Sequence, residues 1–176
     1  VRLLGAATEL GIVYRVDLRL RPEGSAGPLV RSFDSMLHYY DTAGRTWERQ
    51  AFVKARPVAG DLQLGGELLA KLESWVYRRY LSRADISGIK ALKRRIEHRA
   101  RGSLPAVAGI AADLPCDVKS GLGGIRDIEF CLQFLQLLNG GDLKSIRTTR
   151  TLEALERLAA AGCLTLQERN LLERNY

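Results

Sequence analysis

The apolar positions of this chain change period once, near residue 30. From Ile12 to Arg21 they alternate: Ile12, Tyr14, Val16, Leu18 and Leu20 share one face of a strand, and Val13, Arg15, Asp17, Arg19 and Arg21 share the other. A turn-forming run, Pro22 to Pro28, closes that stretch. Helical spacing then takes over. It predicts a helix over 32–43 with Ser32 as N-cap and Gly44 beyond its end, and a second over 46–56 stopped by Pro57. An amphipathic helix over 62–80 follows, carried by Leu64, Leu68, Leu72, Trp75, Val76 and Tyr80, and then a strongly basic one over 85–102. Residues 103–124 are irregular and rich in glycine, with a short alternating segment at Leu114, Cys116 and Val118. A helix from Ile125 to Leu138, another over 149–161, and a last one opened by the capping box Thr165-Leu-Gln-Glu168 complete the chain. The pattern predicts one end of a β-containing domain followed by an all-helical bundle of about five or six helices.

The helix from Ile125 is apolar on two sides, with Ile128, Leu132 and Leu135 on one and Phe130, Phe134 and Leu137 on the other. Arg126, Glu129, Gln133 and Gln136 form a single polar stripe between them. A stripe on a helix that apolar needs partners or a cavity. An ion pair, within the helix or between helices, satisfies the pattern. The lead-in Lys119-Ser-Gly-Leu-Gly123-Gly124 adds another possibility, because glycines let backbone amides approach an anion at a helix start, where Lys119 and Arg126 add charge. Lys54 and Arg56 can reach a phosphate or stand as ordinary solvated charges.

Composition narrows little. The 176 residues carry a net charge of +7, which admits a nucleotide, a nucleic acid or an acidic partner. No run approaches the about 18 apolar residues of a membrane span. Three widely spaced cysteines with no C-x-x-C fit a reducing cytoplasm, and no metal-ligand spacing of histidines or cysteines occurs. The chain opens Val-Arg-Leu-Leu and its single methionine is Met36, so a piece of a longer protein is expected.

Four blocks, RVDLRLRPEGSAGPLV, YYDTAGRTWERQAFVKARPVAGD, VYRRYL and DVKSGLGGIRDIEF, resemble the bacterial glutamine synthetase adenylyltransferase/adenylyl-removing enzymes, of the DNA polymerase β type of nucleotidyltransferase. The resemblance covers the chain from about Gly11 onward, and SIRTTRTLEALERL with VYRRYL is most like the adenylyl-removing half. It implies an α+β, predominantly α chain: the C-terminal remnant of a nucleotidyltransferase sheet (one or two strands) within residues 1–60, then a helical bundle over 61–176. It implies magnesium of the two-metal type, with ATP, ADP and phosphate as substrates, and a cytoplasmic enzyme. Its implied partners are glutamine synthetase, the PII signal protein and the other catalytic half. Asp17 matches a metal-binding carboxylate, and Arg19 and Arg21 match phosphate-facing catalytic groups. Lys119, Gly123, Gly124, Arg126 and Glu129 match the block that faces the nucleotide, and Lys54 and Arg56 join them as candidate phosphate-binding residues. The G-S-x-x-D-x-D motif that supplies the other two metal carboxylates in that family does not occur here, so the chain alone is expected to be inactive. The adenylylating half is the alternative, and a basic module binding nucleic acid or protein, resting on Lys90 to Arg101, is the reading from another class. The lack of aromatics to stack bases beside that helix weighs against it.

Overall fold

A computed structural model describes residues 7–9, 11–12, 18, 20–80, 82–102, 118–119 and 123–176. They fall into two compact units, 1–44 and 45–176.

In the first unit β1 (Ala7–Thr8) pairs antiparallel with β2 (Gly11–Ile12), Ala7 opposite Ile12 and Thr8 opposite Gly11. This is the only β pairing among the described residues, and no nucleotidyltransferase sheet is seen in them. The expected strand falls largely outside them, at 13–17 and 19. At its far end the expectation needs correcting. The backbone already bends at Leu20 and Arg21, and Leu20 is 74% exposed. Pro22 has no amide for a ladder, and Glu23 takes a left-handed φ of 62°. The turn is held from within. The Arg21 guanidinium donates to the carbonyls of Gly27 (3.2 and 3.1 Å), Leu18 (2.5 Å) and Ser25 (3.4 Å). Gly27 is needed there, since a Cβ would meet Pro22 O at 2.0 Å. The first helix, α1 (Phe33–Thr42), starts as expected, with the Ser32 hydroxyl accepting from Ser35 N at 3.3 Å. Arg31 bridges the turn and α1, pairing with Glu23 at 2.7 Å and lying 5.3 Å over the Tyr39 ring.

The second unit holds α2 (Thr46–Phe52), α3 (Leu62–Val76), α4 (Arg83–Gly102), α5 (Ile125–Asn139), α6 (Thr151–Ala160) and α7 (Leu166–Asn175). With α1 this makes the described chain predominantly helical. α2 ends before Arg56 because its last turn tightens: Lys54 N bonds Ala51 O and Ala55 N bonds Phe52 O, both i to i−3. α3 ends at Val76, so Tyr80 lies off the helix and is 82% exposed. The two apolar sides of α5 serve two cores. Phe130 and Leu137 pack with Val53, Val76 and Ile89, while Ile128 and Leu132 pack with Ile146, Leu155 and Leu158. At the end of α5 the chain passes the 77–79 segment with clearance for glycine only. A Cβ on Gly141 would stand 2.4 Å from Arg78 O and 2.6 Å from Arg79 Cα.

The capping box forms as expected. Thr165 Oγ1 accepts from Glu168 N at 3.2 Å, and Glu168 Oε2 accepts from Thr165 N at 2.9 Å. Replacing Thr165 by alanine is expected to cost about 1 kcal/mol in a urea titration, the usual worth of such a cap. No helix of the described residues is long and apolar enough to cross a membrane.

Candidate functional site

The polar stripe of α5 meets its partners across a seam with α2 and the α6 entry. Gln50 Nε2 donates to Gln133 Oε1 at 3.0 Å, and just past the end of α2, Lys54 Nζ lies 3.5 Å from Glu129 Oε1. Residues four apart at the end of α2 and its exit thus face residues four apart on α5, in opposite chain direction. Gln136, nearly fully buried, donates to the carbonyls of Ile146 and Thr148, both at 2.9 Å. Glu129 has further neighbours: Thr151 Oγ1 at 3.3 Å and the Tyr176 hydroxyl at 3.4 Å. Of the two sequence readings, the ion pair is realised between helices. Lys54 and Glu129, both candidate nucleotide- or phosphate-binding residues, are brought together.

The glycine-led start of α5 has a different character. Gly123 takes a left-handed φ of 74°, which lets its amide donate to Asp127 Oδ2 at 2.9 Å. The amides of Ile125 and Arg126 donate to the carbonyls of Val118 and Lys119, each at 3.0 Å, and Asp127 N donates to Gly124 O at 2.9 Å. These four amides of the helix start are thereby satisfied by the chain itself. Arg126 is half-buried and Arg56 exposed. Arg21 lies in the first unit, with its guanidinium engaged by loop carbonyls as described above. Asp17 and Arg19 lie outside the described residues.

Two charged clusters escaped sequence reading. Arg49 and Asp85 form a buried pair at 2.7 Å, their side chains 5% and 9% exposed, with the Arg49 guanidinium 5.2 Å over the Trp75 ring. Asp85 also closes the start of α4: Ser82 Oγ accepts from Asp85 N at 3.1 Å while Asp85 Oδ2 accepts from Ser82 N at 3.1 Å. Burial alone would raise the Asp85 pKa, but the Ser82 hydrogen bonds and the Arg49 charge together hold it below the ordinary value. Burial, with the neighbouring Arg78, lowers that of Arg49. The Ser-x-x-Asp spacing at 82–85 was the available signal, a capping box with aspartate in the third position. The second cluster joins Glu73, Arg147 and Lys144. Arg147 Nη1 bonds Glu73, its Nε donates to Gly140 O at 2.7 Å, and its guanidinium lies 4.7 Å over Tyr77. The Arg147 hydrogen bond holds the Glu73 carboxyl below its ordinary pKa, and burial raises that of Tyr77. Glu73, Tyr77 and Arg147 line a cavity of about 280 Å³ with Phe52, Val53 and Leu69.

Comparison with known proteins covers both parts of the chain. Residues 1–71 match the glutamate-ammonia ligase adenylyltransferase family, and residues 90–176 match GlnD PII-uridylyltransferase. The bifunctional glutamine synthetase adenylyltransferase/adenylyl-removing enzyme of Brucella suis biovar 1 (strain 1330) is 44% identical over 177 residues, covering 100% of this chain and 17% of that protein. The whole chain is similar to a segment of these enzymes. The same-named proteins of Mesorhizobium japonicum, 42% identical over 177 residues, and Rhodopseudomonas palustris strain CGA009, 45% identical over 166, give the same picture. They are covered over 17% and 16% of their lengths, and cover 100% and 94% of this chain. The chain therefore spans about a sixth of the length of these curated relatives.

Magnesium is implied only by the resemblance. Among the described residues no group of three or more His, Cys, Asp or Glu could hold a metal ion. Asp17 stands outside those residues, and the G-S-x-x-D-x-D carboxylates are not in this sequence. The residues described do not fit a two-metal centre.

Proposed function

We propose that the chain is part of an enzyme that regulates glutamine synthetase by reversible adenylylation, in the half that removes AMP. The observation that carries this is the whole-chain likeness to the adenylyltransferase/adenylyl-removing enzymes. The uridylyltransferase match over 90–176 has the same chemistry, nucleotidyl transfer. In this reading residues 1–60 complete a nucleotidyltransferase domain and 61–176 form the helical domain that follows it in the chain. A phosphate oxygen attacks the phosphorus of tyrosine-bound AMP. The bond from phosphorus to the tyrosine oxygen breaks, ADP leaves and the tyrosine hydroxyl is restored. Asp17 stands at the position matched to a metal-binding carboxylate, whose two companion carboxylates this sequence lacks, and Arg19 and Arg21 take up phosphate charge. For Arg21 this requires its guanidinium to exchange loop carbonyls for phosphate oxygens. Lys54, Arg56, Lys119, Gly123, Gly124, Arg126 and Glu129 border the nucleotide. The protein works in the cytoplasm with the PII signal protein and the other catalytic half.

The test uses the full-length protein containing this segment. Adenylylated glutamine synthetase with phosphate and magnesium is expected to yield ADP, and Asp17→Asn to reduce that yield to background. Full activity of the variant would remove Asp17 from the site. Activity with ATP and unmodified glutamine synthetase, lost in the same variant, would assign the chain to the adenylylating half instead. The 176-residue chain alone is expected to be inactive, and normal rates from it would overturn the reading.

A further inference from the structure

The far end of the α2–α5 seam gathers more donors than an ion pair requires. Lys54 Nζ, Thr151 Oγ1 and the Tyr176 hydroxyl stand 3.5, 3.3 and 3.4 Å from the same oxygen, Glu129 Oε1. Lys54 Nζ is also 2.5 Å from Thr151 Oγ1, and the Tyr176 hydroxyl is 3.3 Å from it. An ammonium from the exit of α2, a hydroxyl from the first residue of α6 and another from the residue after α7 therefore converge on one point. Thr151 Oγ1 accepts from Lys54 and shares the single Tyr176 proton with Glu129 Oε1, so the carboxylate itself is held only by contacts of 3.3–3.5 Å, at the long end of hydrogen bonding. A tetrahedral oxyanion has an oxygen for each donor.

There is room for such a group. Thr151 and Tyr176 line a cavity of about 560 Å³ with Arg150, Leu152, Glu153 and Glu156. The Glu153 carboxylate does not fill the donor set, because it accepts from Thr148 Oγ1 (2.5 Å) and from Arg157 Nη2 (2.6 Å). Glu156 is exposed at the rim. The Lys54 and Glu129 side chains are 30% and 34% exposed, so the pair is open to exchange, and ion pairs of that exposure add little stability.

We propose that Lys54, Thr151 and Tyr176 form a phosphate site that Glu129 occupies from within the chain. A phosphate group entering from the cavity displaces the carboxylate and takes over its donors. This rests on the phosphate-handling reading above and sharpens it. Thr151 and Tyr176 become ligands, and Glu129 becomes the internal competitor.

The experiment titrates the 176-residue chain with inorganic phosphate and, separately, with ADP, following amide shifts by NMR. The expected result is saturable shifts at Thr151 and Tyr176, with Lys54→Met weakening binding about tenfold. Glu129→Gln should tighten it several-fold, because the competing charge is gone. Stronger binding of ADP would identify a nucleotide as the source of the phosphate group, and equal binding free phosphate; both support the site. Unchanged or weaker binding in Glu129→Gln overturns the proposal, as do shifts confined to the basic α4, which mean an adventitious ion only. Should Lys54→Met fail to fold, Tyr176→Phe, which removes only a hydroxyl from an exposed side chain, must weaken binding or the proposal falls. The two readings fail separately. A full-length protein inactive on glutamine synthetase would sink the function while the titration stands, and a flat titration would sink the site while activity stands.

Discussion

Asp85→Asn is expected to lower the unfolding free energy at pH 7 by about 3–5 kcal/mol, because it leaves the buried Arg49 charge without a counter-charge. The same change weakens the capping of α4, since Asp85 accepts from both the Ser82 amide and its hydroxyl. The pH dependence carries a definite sign. The folded-state pKa of Asp85 lies below the ordinary value, so its contribution is complete above the unfolded pKa of about 3.9 and is lost as pH falls through the folded value. Urea titrations of the parent and Asp85→Asn should therefore differ most at neutral pH and converge in strong acid. A gap that stays constant down to acid pH would show that the charge is not what matters. Replacing both partners, Arg49→Met with Asp85→Leu, should cost less than either single replacement, since no buried charge is left unpaired.

Gly141→Ala is expected to cost about 3 kcal/mol, the upper end for overpacking. The added methyl would overlap backbone atoms of Arg78 and Arg79, which cannot rotate away as a side chain can. The loss should appear as a lower urea midpoint with an unchanged slope. Gly66→Ala is the control: the space around its Cβ is empty, it lies within α3, and alanine there should be neutral or stabilising. A Gly141→Ala protein as stable as its parent would mean that the 77–79 segment yields without cost.

Much of this architecture could be read from periodicity. The two apolar sides of α5 were visible in the spacing of Ile128, Leu132, Phe130 and Leu137, and both became core walls. Ser32 and the Thr165–Glu168 box were legible because capping depends on residues three apart. What could not be read was which polar groups meet across long sequence distances. Nothing local to Trp47-Glu-Arg49-Gln50 marks it as a helix whose charged residues are buried, since Arg49 is neutralised by a residue 36 positions away. The stripe on α5 demanded partners without naming them, and Lys54, Thr151 and Tyr176 reach it from three separate elements. The end of the predicted strand failed for a different reason. Alternation continued through Arg21, but the Pro22–Glu23 turn and the Arg21 clamp set the backbone there. Among the candidate phosphate-binding residues, Lys54 and Glu129 sit together, while the four amides described at the glycine-led start of α5 are closed by the chain's own acceptors.

The α2–α5 seam also indexes one helix against the other. Apolar side chains tolerate sliding, since a leucine packs tolerably against many neighbours, but the rungs Gln50–Gln133 and Lys54–Glu129 match in only one alignment. Sliding by one turn would set Gln50, which is buried, against Leu137 and strand its amide. A single inserted residue between positions 129 and 133 would turn one rung by about 100° relative to the other. Length changes should therefore be tolerated in the connections between these helices and rejected within the four-residue spacing that the two rungs measure.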